Sequence, residues 1–469
     1  MDKSIISETF NSHLEHKYAQ KKTSHEYRIK KLRDLKAILL LNSQNIEEAL
    51  RKDFGKAPME SAMTEVLPTI TSLNLTIKKL KKWMKLTKVS SSILFFGSTN
   101  KYYYQAKGNV LIIGPWNYPF QLALIPIITS FSAGNTTIFK PSEFTPHINK
   151  VIKAICEQVF TDQEFSIIEG DAQTSQELLD LPFDHIFFTG SGHVGKLVME
   201  KASKHLASVT LELGGKSPVL IAPDYDLSTA AKNIIWGKLV NGGQTCVAPD
   251  YVLIHKNQYK ELIPLLVQEI KNRYGDDISS NEDYCQIITP RHAARLKAMV
   301  DDSRDAGATI NCGGEVLVGN KIAPTIIGNA SNDMKVMSEE IFGPLLPVMT
   351  YKDMDHAVSL INEHDNALAL YLFTNSQGSI DKILAETNSG SVGINETLLH
   401  VGNANLAFGG AGKSGLGRYH GRLGFVEFSN LRAVAHRKLA MGLDYFYPPY
   451  TDQKYRLLKK LITSFNRFL

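Results

Sequence analysis

The sequence is poor in cysteine, in long apolar runs and in charge of one sign. Its four cysteines (Cys156, Cys246, Cys285 and Cys312) are scattered through 469 residues with no CxxC pair. That scatter argues against a disulfide framework or a cysteine-rich metal site, and it fits a reducing compartment. Fourteen histidines form no HxH or HExxH arrangement, so no metal is expected. The nearest grouping, His13 and His16, stands in a polar N-terminal segment and reads as surface. No uninterrupted apolar run approaches the roughly 20 residues of a membrane-spanning helix. The longest candidate, 122–131, is broken by Pro126. Residues 1–19 lack the apolar core of a signal peptide. A net charge of +5 is small for this length, and no dense basic block interleaves with aromatics, so no nucleic-acid partner is expected. No internal repeat of about 20–50 residues is evident. These absences together point to a cytoplasmic, globular protein.

What is present is enough chain for two or three domains, with 43% hydrophobic and 21% charged residues. Residues 24–86 read as helical. Met63, Val66, Leu67, Ile70, Leu73, Ile77, Leu80 and Met84 recur at three- and four-residue spacing and predict one apolar stripe. Gly55 suits a helix stop, and Lys78, Lys79, Lys81 and Lys82 suit the solvated face. Ile93-Leu-Phe-Phe96 and Lys101-Tyr-Tyr-Tyr-Gln105 flank Gly97-Ser-Thr-Asn100, which reads as an aromatic β-hairpin.

From residue 109 the pattern changes to strand–helix alternation. Short β-rich runs at 110–113, 136–139, 166–168, 185–188 and 209–211 are separated by helix-length segments. The fold class is therefore α/β, with a doubly wound parallel sheet. Ligands on such sheets bind beyond the carboxyl ends of the strands. The loops there carry Gly114-Pro-Trp116-Asn117-Tyr-Pro119, Lys140-Pro-Ser-Glu143, Thr189-Gly190-Ser191-Gly192-His-Val-Gly195 and Glu212-Leu-Gly-Gly-Lys216. Gly190-Ser-Gly192-His-Val-Gly195 matches the dinucleotide fingerprint GxGxxG, with Glu212 about twenty positions on as its ribose acid. The fingerprint normally follows the first strand, and this is the fourth. The loop is better kept for phosphate contact at a helix N-terminus, which frees Glu212 for chemistry.

Residues 214–400 repeat the strand-and-helix pattern as a second α/β domain and contain Asn241-Gly-Gly-Gln-Thr-Cys246-Val-Ala-Pro-Asp250. A thiol in a Gly-rich loop between a helix (227–240) and a strand (251–255) can be exposed and held near backbone N–H groups, as a nucleophile requires. The commonest fate of a free cysteine is instead that of a small buried hydrophobe. Gly409-Gly-Ala-Gly412-Lys-Ser-Gly415-Leu-Gly417 reads as a segment of little regular structure. The last residues, Lys454 to Leu469, predict a basic amphipathic helix with Leu457, Leu458, Leu461, Ile462, Phe465, Phe468 and Leu469 on one face. The first reading is a helix docked on its own protein. The sharper one is contact with an anionic membrane surface.

Asn117, Lys140-Pro-Ser-Glu143, Phe188-Thr-Gly-Ser191, Leu211-Glu212-Leu-Gly-Gly-Lys, Gly243-Gln-Thr-Cys246 and Glu340-Ile-Phe342-Gly-Pro occur in this order. Together they resemble the NAD(P)-dependent aldehyde dehydrogenase superfamily over nearly the whole chain. Gln-Thr-Cys246-Val-Ala-Pro-Asp-Tyr251, Gly417-Arg-Tyr-His420-Gly and Tyr447-Pro-Pro-Tyr450 look like its class 3, fatty-aldehyde-type branch. The resemblance implies an NAD(P)-binding domain (1–88 and 107–213), a catalytic domain (214–428) and a bridging, oligomerising β-flap (89–106 and 429–446), followed by the tail 447–469. It implies a homodimer. It makes Cys246 the nucleophile, Glu212 the general base and Asn117, with the Cys246 N–H, the oxyanion donor. Lys140 and Glu143 would contact the adenosine ribose, Gly190, Ser191 and Gly195 the pyrophosphate loop, and Glu340, Phe342 and Trp116 the nicotinamide end. Glu143 favours NAD by repelling a 2′-phosphate, while Lys140 leaves NADP open.

Singly, these residues have plainer readings: Asn117 as a turn residue, Glu212 as a solvated strand end, Lys140 as a surface cation and Phe342 as core. Their order makes that combination improbable. The expected reaction is oxidation of medium- or long-chain aliphatic or aromatic aldehydes to acids. A CoA-acylating relative would generally lack the glutamate base. A non-catalytic paralogue would have lost Cys246, Asn117 or Glu212. A cofactor-free cysteine hydrolase would need a histidine partner that the sequence does not locate.

Overall fold

The structure is a computed structural model that describes residues 3–90, 97–438 and 446–465. Two compact units result. The first comprises Met1–Trp83 and Ala106–Asn430, the second Met84–Gln105 and Leu431–Leu469.

The first unit is built on two sheets. In the six-stranded sheet the order is Gly415–Leu416, Ser208–Glu212, His185–Thr189, Asn109–Ile113, Thr136–Lys140 and Phe165–Ile167. The five expected strands are parallel. Asn109–Ile113, Thr136–Lys140 and His185–Thr189 are buried at every residue, as strands covered by helices on both faces must be. Their register is what matters for function. Ile113 pairs with Lys140, Ile113 with Phe188, and Thr189 with Glu212, so the loops that follow leave from one edge. The sixth strand is a correction. Part of the glycine-rich segment read as irregular forms Gly415–Leu416, antiparallel to Leu211 and Glu212. Gly415 sits at φ 149 with an added Cβ 2.3 Å from the Leu211 carbonyl, so only glycine lets the backbone come this close.

The second sheet has seven strands in the order Thr309–Cys312, Thr325–Gly328, Leu345–Tyr351, Tyr251–His255, Pro218–Ile221, Ala367–Phe373 and Ser389–Ile394. All its pairings are parallel except the first, which is antiparallel. The helix Leu227–Leu239 and the strand Tyr251–His255 bracket the cysteine loop as expected.

The N-terminal half is helical, and Gly55 ends Ser43–Phe54 in the left-handed region at φ 68. The apolar stripe is displaced from its expected face. Leu67 is exposed and Met63, Val66, Ile70 and Ile77 are half-buried, while Glu65, Thr69, Ser72, Leu73, Thr76, Leu80 and Trp83 face inward. The helix meets polar partners there, above all the buried ion pair of Glu65 with Lys56. His13 is a second correction. It is fully buried in the helix Lys3–Lys21, and its Nε2 lies 2.7 Å from the Asp162 carbonyl and 2.9 Å from Ser166 Oγ.

In the second unit, Ser98–Ala106 pairs antiparallel with Thr87–Val89, and Ser429–Arg437 completes a three-stranded sheet. The expected hairpin arm Ile93–Phe96 lies outside the described residues. The terminal helix runs Asp452–Phe465. Leu457, Leu458, Leu461 and Ile462 are exposed. Among the described residues no helix is long and apolar enough to cross a membrane.

Burial pushes the pKa of His13 down to about 4, so the folded chain holds this ring neutral. An unfolded histidine binds its proton near 6.5, so stability is present above that pH and is lost as pH falls toward 4, by up to roughly 3 kcal/mol. Thermal melts between pH 7 and 4.5 should show this loss, and His13→Gln should flatten it.

Candidate active site

Cys246 follows a tight turn made of three consecutive left-handed residues, Asn241 (φ 56), Gly242 (φ 60) and Gly243 (φ 76). Gln244 ties this turn down. Its N–H donates to the Asn241 carbonyl, its Nε2 to the carbonyls of Asn241 and Gln286, and its Oε1 accepts from Ile288 N–H. The cysteine is half-buried. Burial pushes its pKa up, the Glu340 and Glu212 carboxylates push it further, and the backbone N–H groups of Cys246 and Val247 pull it back. The charges of both glutamates thus oppose ionisation of the thiol.

Glu212 ends its strand only 2% exposed, and neither carboxylate oxygen has a hydrogen-bond partner. The solvated strand-end reading is thereby excluded. Desolvation raises its pKa well above the ordinary carboxylate range, opposed by Arg418 and reinforced by Glu427. A buried, unpartnered acid costs stability and marks a candidate site. Asn117 is buried too. Its Nδ2 donates to the Gln244 carbonyl at 3.0 Å, which leaves the second amide hydrogen free.

Glu340 stands on an irregular stretch locked from behind. Lys216 Nζ donates to Asp250 Oδ2 at 2.5 Å and to the carbonyls of Val336 and Glu339, while Asp250 Oδ1 accepts from Ile341 N–H. Arg295 donates to the carbonyls of Glu340 and Ile341. A Cβ at Gly214 would stand 2.1 Å from Glu340 Oε2, so that glycine admits the carboxylate. Burial lifts the Glu340 pKa to about 8, with Asp250 adding to it. Phe342 sits at φ 51, a strained value for so large a residue, and its ring meets Trp116 edge-on at 5.3 Å.

Along the six-stranded sheet, Lys140 is buried and its Nζ reaches the exposed Glu143 at 3.3 Å. Ser191 caps the helix Gly192–Ser203 by accepting from Val194 N–H. Gly195 packs against Leu213, where a Cβ would come within 2.7 Å, and Gly190 N–H donates to the Glu212 carbonyl. Nothing lies within 4 Å of a Cβ placed on Gly192, so the first turn is open. The structure ties Asn117 to the cysteine loop through Gln244 and brings Phe342 against Trp116, while Lys140, Glu143, Gly190, Ser191 and Gly195 end or follow strands of the six-stranded sheet. Sequence reasoning missed Gln244, Asn241, Lys216, Asp250, Arg295 and Arg418. It also missed Lys56, Glu60 and Glu65, whose signal was acids and hydroxyls at helical spacing.

A family model described as the aldehyde dehydrogenase family matches residues 3–434. The chain is 38% identical over 434 residues to 4,4'-diaponeurosporen-aldehyde dehydrogenase of Staphylococcus aureus (strain NCTC 8325 / PS 47), covering 92% of this chain and 94% of that one. It is 38% identical over 442 residues to aldehyde dehydrogenase family 3 member B2 of Mus musculus, covering 94% and 91%. The solved substrate-bound state of Staphylococcus aureus AldH matches with a TM-score of 0.93 at 36% identity, covering 98% of this chain and 100% of that one. This chain belongs to the aldehyde dehydrogenase family. Its reaction is the NAD(P)-dependent oxidation of an aldehyde to its acid, which is general to that family.

The turn before Cys246 generates a prediction. Gly243 combines φ 76 with an added Cβ 2.3 Å from the Gly343 carbonyl. Gly243→Ala should shift the thiol and lower kcat by about 10²-fold, the scale of a 1 Å misplacement. Steady-state NADH formation checks it.

Proposed function

We propose that Cys246, Glu212 and Asn117 carry the chemistry, on the strength of one observation: Glu212 is a buried acid with no hydrogen-bond partner, and its charge opposes ionisation of the Cys246 thiol. The Cys246 thiolate attacks the aldehyde carbon and a C–S bond forms. The carbonyl oxygen becomes an oxyanion held by the Asn117 amide and the Cys246 N–H. When bound, NAD(P)+ supplies the acceptor for the hydride that leaves this carbon. The carbonyl then re-forms as a thioester on Cys246. Glu212 takes a proton from water, which attacks the thioester, and the C–S bond breaks to release the acid.

The edge residues suit a dinucleotide. The first turn at Gly192 is open, the buried Thr189 Oγ1 lacks a partner, and Val194 and Leu197 are exposed beside it. Ser191, Gly190 and Gly195 would hold the pyrophosphate, Lys140 and Glu143 the ribose, and Glu340, Phe342 and Trp116 the nicotinamide end. Glu143 favours NAD over NADP by charge.

The substrate class we favour is medium- or long-chain aliphatic or aromatic aldehydes. The segments 89–106 and 429–446 would serve as the flap of a homodimer, followed by the tail 447–469; most of their residues belong to the smaller unit. The cofactor-binding half would be 1–88 with 107–213, and the catalytic half 214–428. Free, well-separated cysteines favour the cytoplasm. The exposed apolar face of Asp452–Phe465, flanked by Lys454, Arg456, Lys459 and Lys460, favours weak contact with anionic lipid.

NADH formation across aldehydes of rising chain length tests the assignment. Cys246→Ala should abolish it without CoA present. Glu212→Gln should complete one turnover and stall at the thioester. Because desolvation raises the Glu212 pKa, wild-type hydrolysis should quicken as pH rises through that value, and Glu212→Gln should lose the dependence. Activity that appears only with CoA would move the protein to the acylating branch.

A further inference from the structure

Behind the loops that carry Asn117 and Cys246 stand two carboxylates for which the reaction supplies no role. Glu65 Oε1 accepts from Lys56 Nζ at 2.8 Å, and neither side chain has any exposed surface. Glu65 Oε2 accepts the N–H groups of Phe120 at 3.1 Å and Gln121 at 2.9 Å. These open the helix Gln121–Ala133, which is buried almost throughout and whose N-cap residue, Phe120, offers no side-chain acceptor. An anion there satisfies orphan donors and meets the positive end of the helix. It thereby ties down the chain three and four residues past Asn117.

Glu60 grips the other loop. Its Oε1 accepts the Asn241 N–H at 2.8 Å. Asn241 Nδ2 in turn donates to the Asn117 carbonyl at 2.8 Å and the Gln244 carbonyl at 3.1 Å. A third tie closes the ring. Lys56 Nζ lies 4.4 Å from the Tyr118 ring, and the Tyr118 hydroxyl shares a 2.6 Å hydrogen bond with Thr245, the neighbour of Cys246.

Glu60 and Glu65 are five residues apart, which in a regular α-helix sets them about 140° apart around the axis. Here Ala62–Val66 is a π-helical turn. Its wider winding brings residues five apart close to one another, and such turns recur at functional sites. The extra residue lets one helical segment present both acids to the two loops.

We propose that Lys56, Glu60 and Glu65 are positioning residues that set the approach of the Asn117 amide to the reacting carbon on Cys246. The inference rests on the reading of Asn117 as oxyanion donor. The test uses the full chain with kcat, KM for NAD+ and thermal midpoint measured for Glu65→Gln, Glu60→Gln, Asn117→Ala and the two doubles. Asn117→Ala should lower kcat about 10²–10³-fold. Glu65→Gln should lower it roughly 10–100-fold, with KM for NAD+ changed less than about two-fold. In the Asn117→Ala background the same change should cost less than about three-fold, because no amide remains to be aimed. Glu60→Gln should show a smaller loss with the same non-additivity, and it carries the test if Glu65→Gln does not fold. Losses that multiply independently, or full activity in both glutamine variants, would overturn the bracket and leave the donor reading standing. An unchanged kcat in Asn117→Ala would sink the donor reading and this inference with it.

Discussion

The active site depends first on strand register. Parallel pairing sets Ile113 opposite Lys140 and Thr189 opposite Glu212, so four chain segments far apart in sequence reach one edge together. A slip of one residue would turn every side chain to the other face. Glu212 would then point away from the thiol. The short antiparallel strand Gly415–Leu416 pins this end of the sheet. It pairs with Glu212 itself, and the Leu213 N–H donates to the Ser414 carbonyl. The last residue of the ladder is thus held on both sides, by Thr189 and by Gly415. Glu212 therefore ends a strand that is hydrogen-bonded on both edges.

The second constraint is the concentration of charge in a dry interior. Glu212, Glu340 and the Cys246 thiol all have their charged forms penalised by burial, and the carboxylates oppose the thiol further. A buried ion is expensive to fold unless it is paired, and Glu212 has no hydrogen-bond partner. Lys216 with Asp250, and Lys56 with Glu65, are the opposite case, because each ion has a partner and further backbone hydrogen bonds. Breaking a pair of this kind costs about 3–5 kcal/mol, since the remaining ion is left uncompensated. The paired ions hold the loops through backbone hydrogen bonds, whereas Glu212 has no hydrogen-bond partner.

Much of this was legible in sequence because it is local. Short β-rich runs gave the parallel strands, and the loops after them named Asn117, Lys140, Glu143, Ser191 and Glu212. The cysteine loop was visible through Asn241-Gly-Gly-Gln-Thr-Cys246 and its flanking helix and strand. What was not legible depends on distant chain. The charges that oppose ionisation of the thiol come from Glu340 and Glu212, about 94 and 34 positions away. His13 looked like surface because its partners, Asp162 and Ser166, sit in another helix–strand unit. The strand Gly415–Leu416 is only two residues long and glycine-rich, so no periodicity marks it.

The helix carrying Glu65 shows why apolar periodicity misjudged a face. Hydrophobic spacing assigned Met63, Val66, Leu67 and Ile70 to the interior, yet Glu65, Thr69, Ser72 and Thr76 are the residues that face it. Those four also recur at three- and four-residue spacing, so two stripes were present and the apolar one was chosen. The deciding information lay elsewhere, in a buried helix start at Phe120 and Gln121 with no acceptor of its own. A helix buried all round must borrow an anion from another segment to satisfy its first N–H groups. Gln121–Ala133 was recognisable from its apolar run, so its unmet donors were implied by the sequence. A polar stripe on an earlier helix was the place to look for what met them.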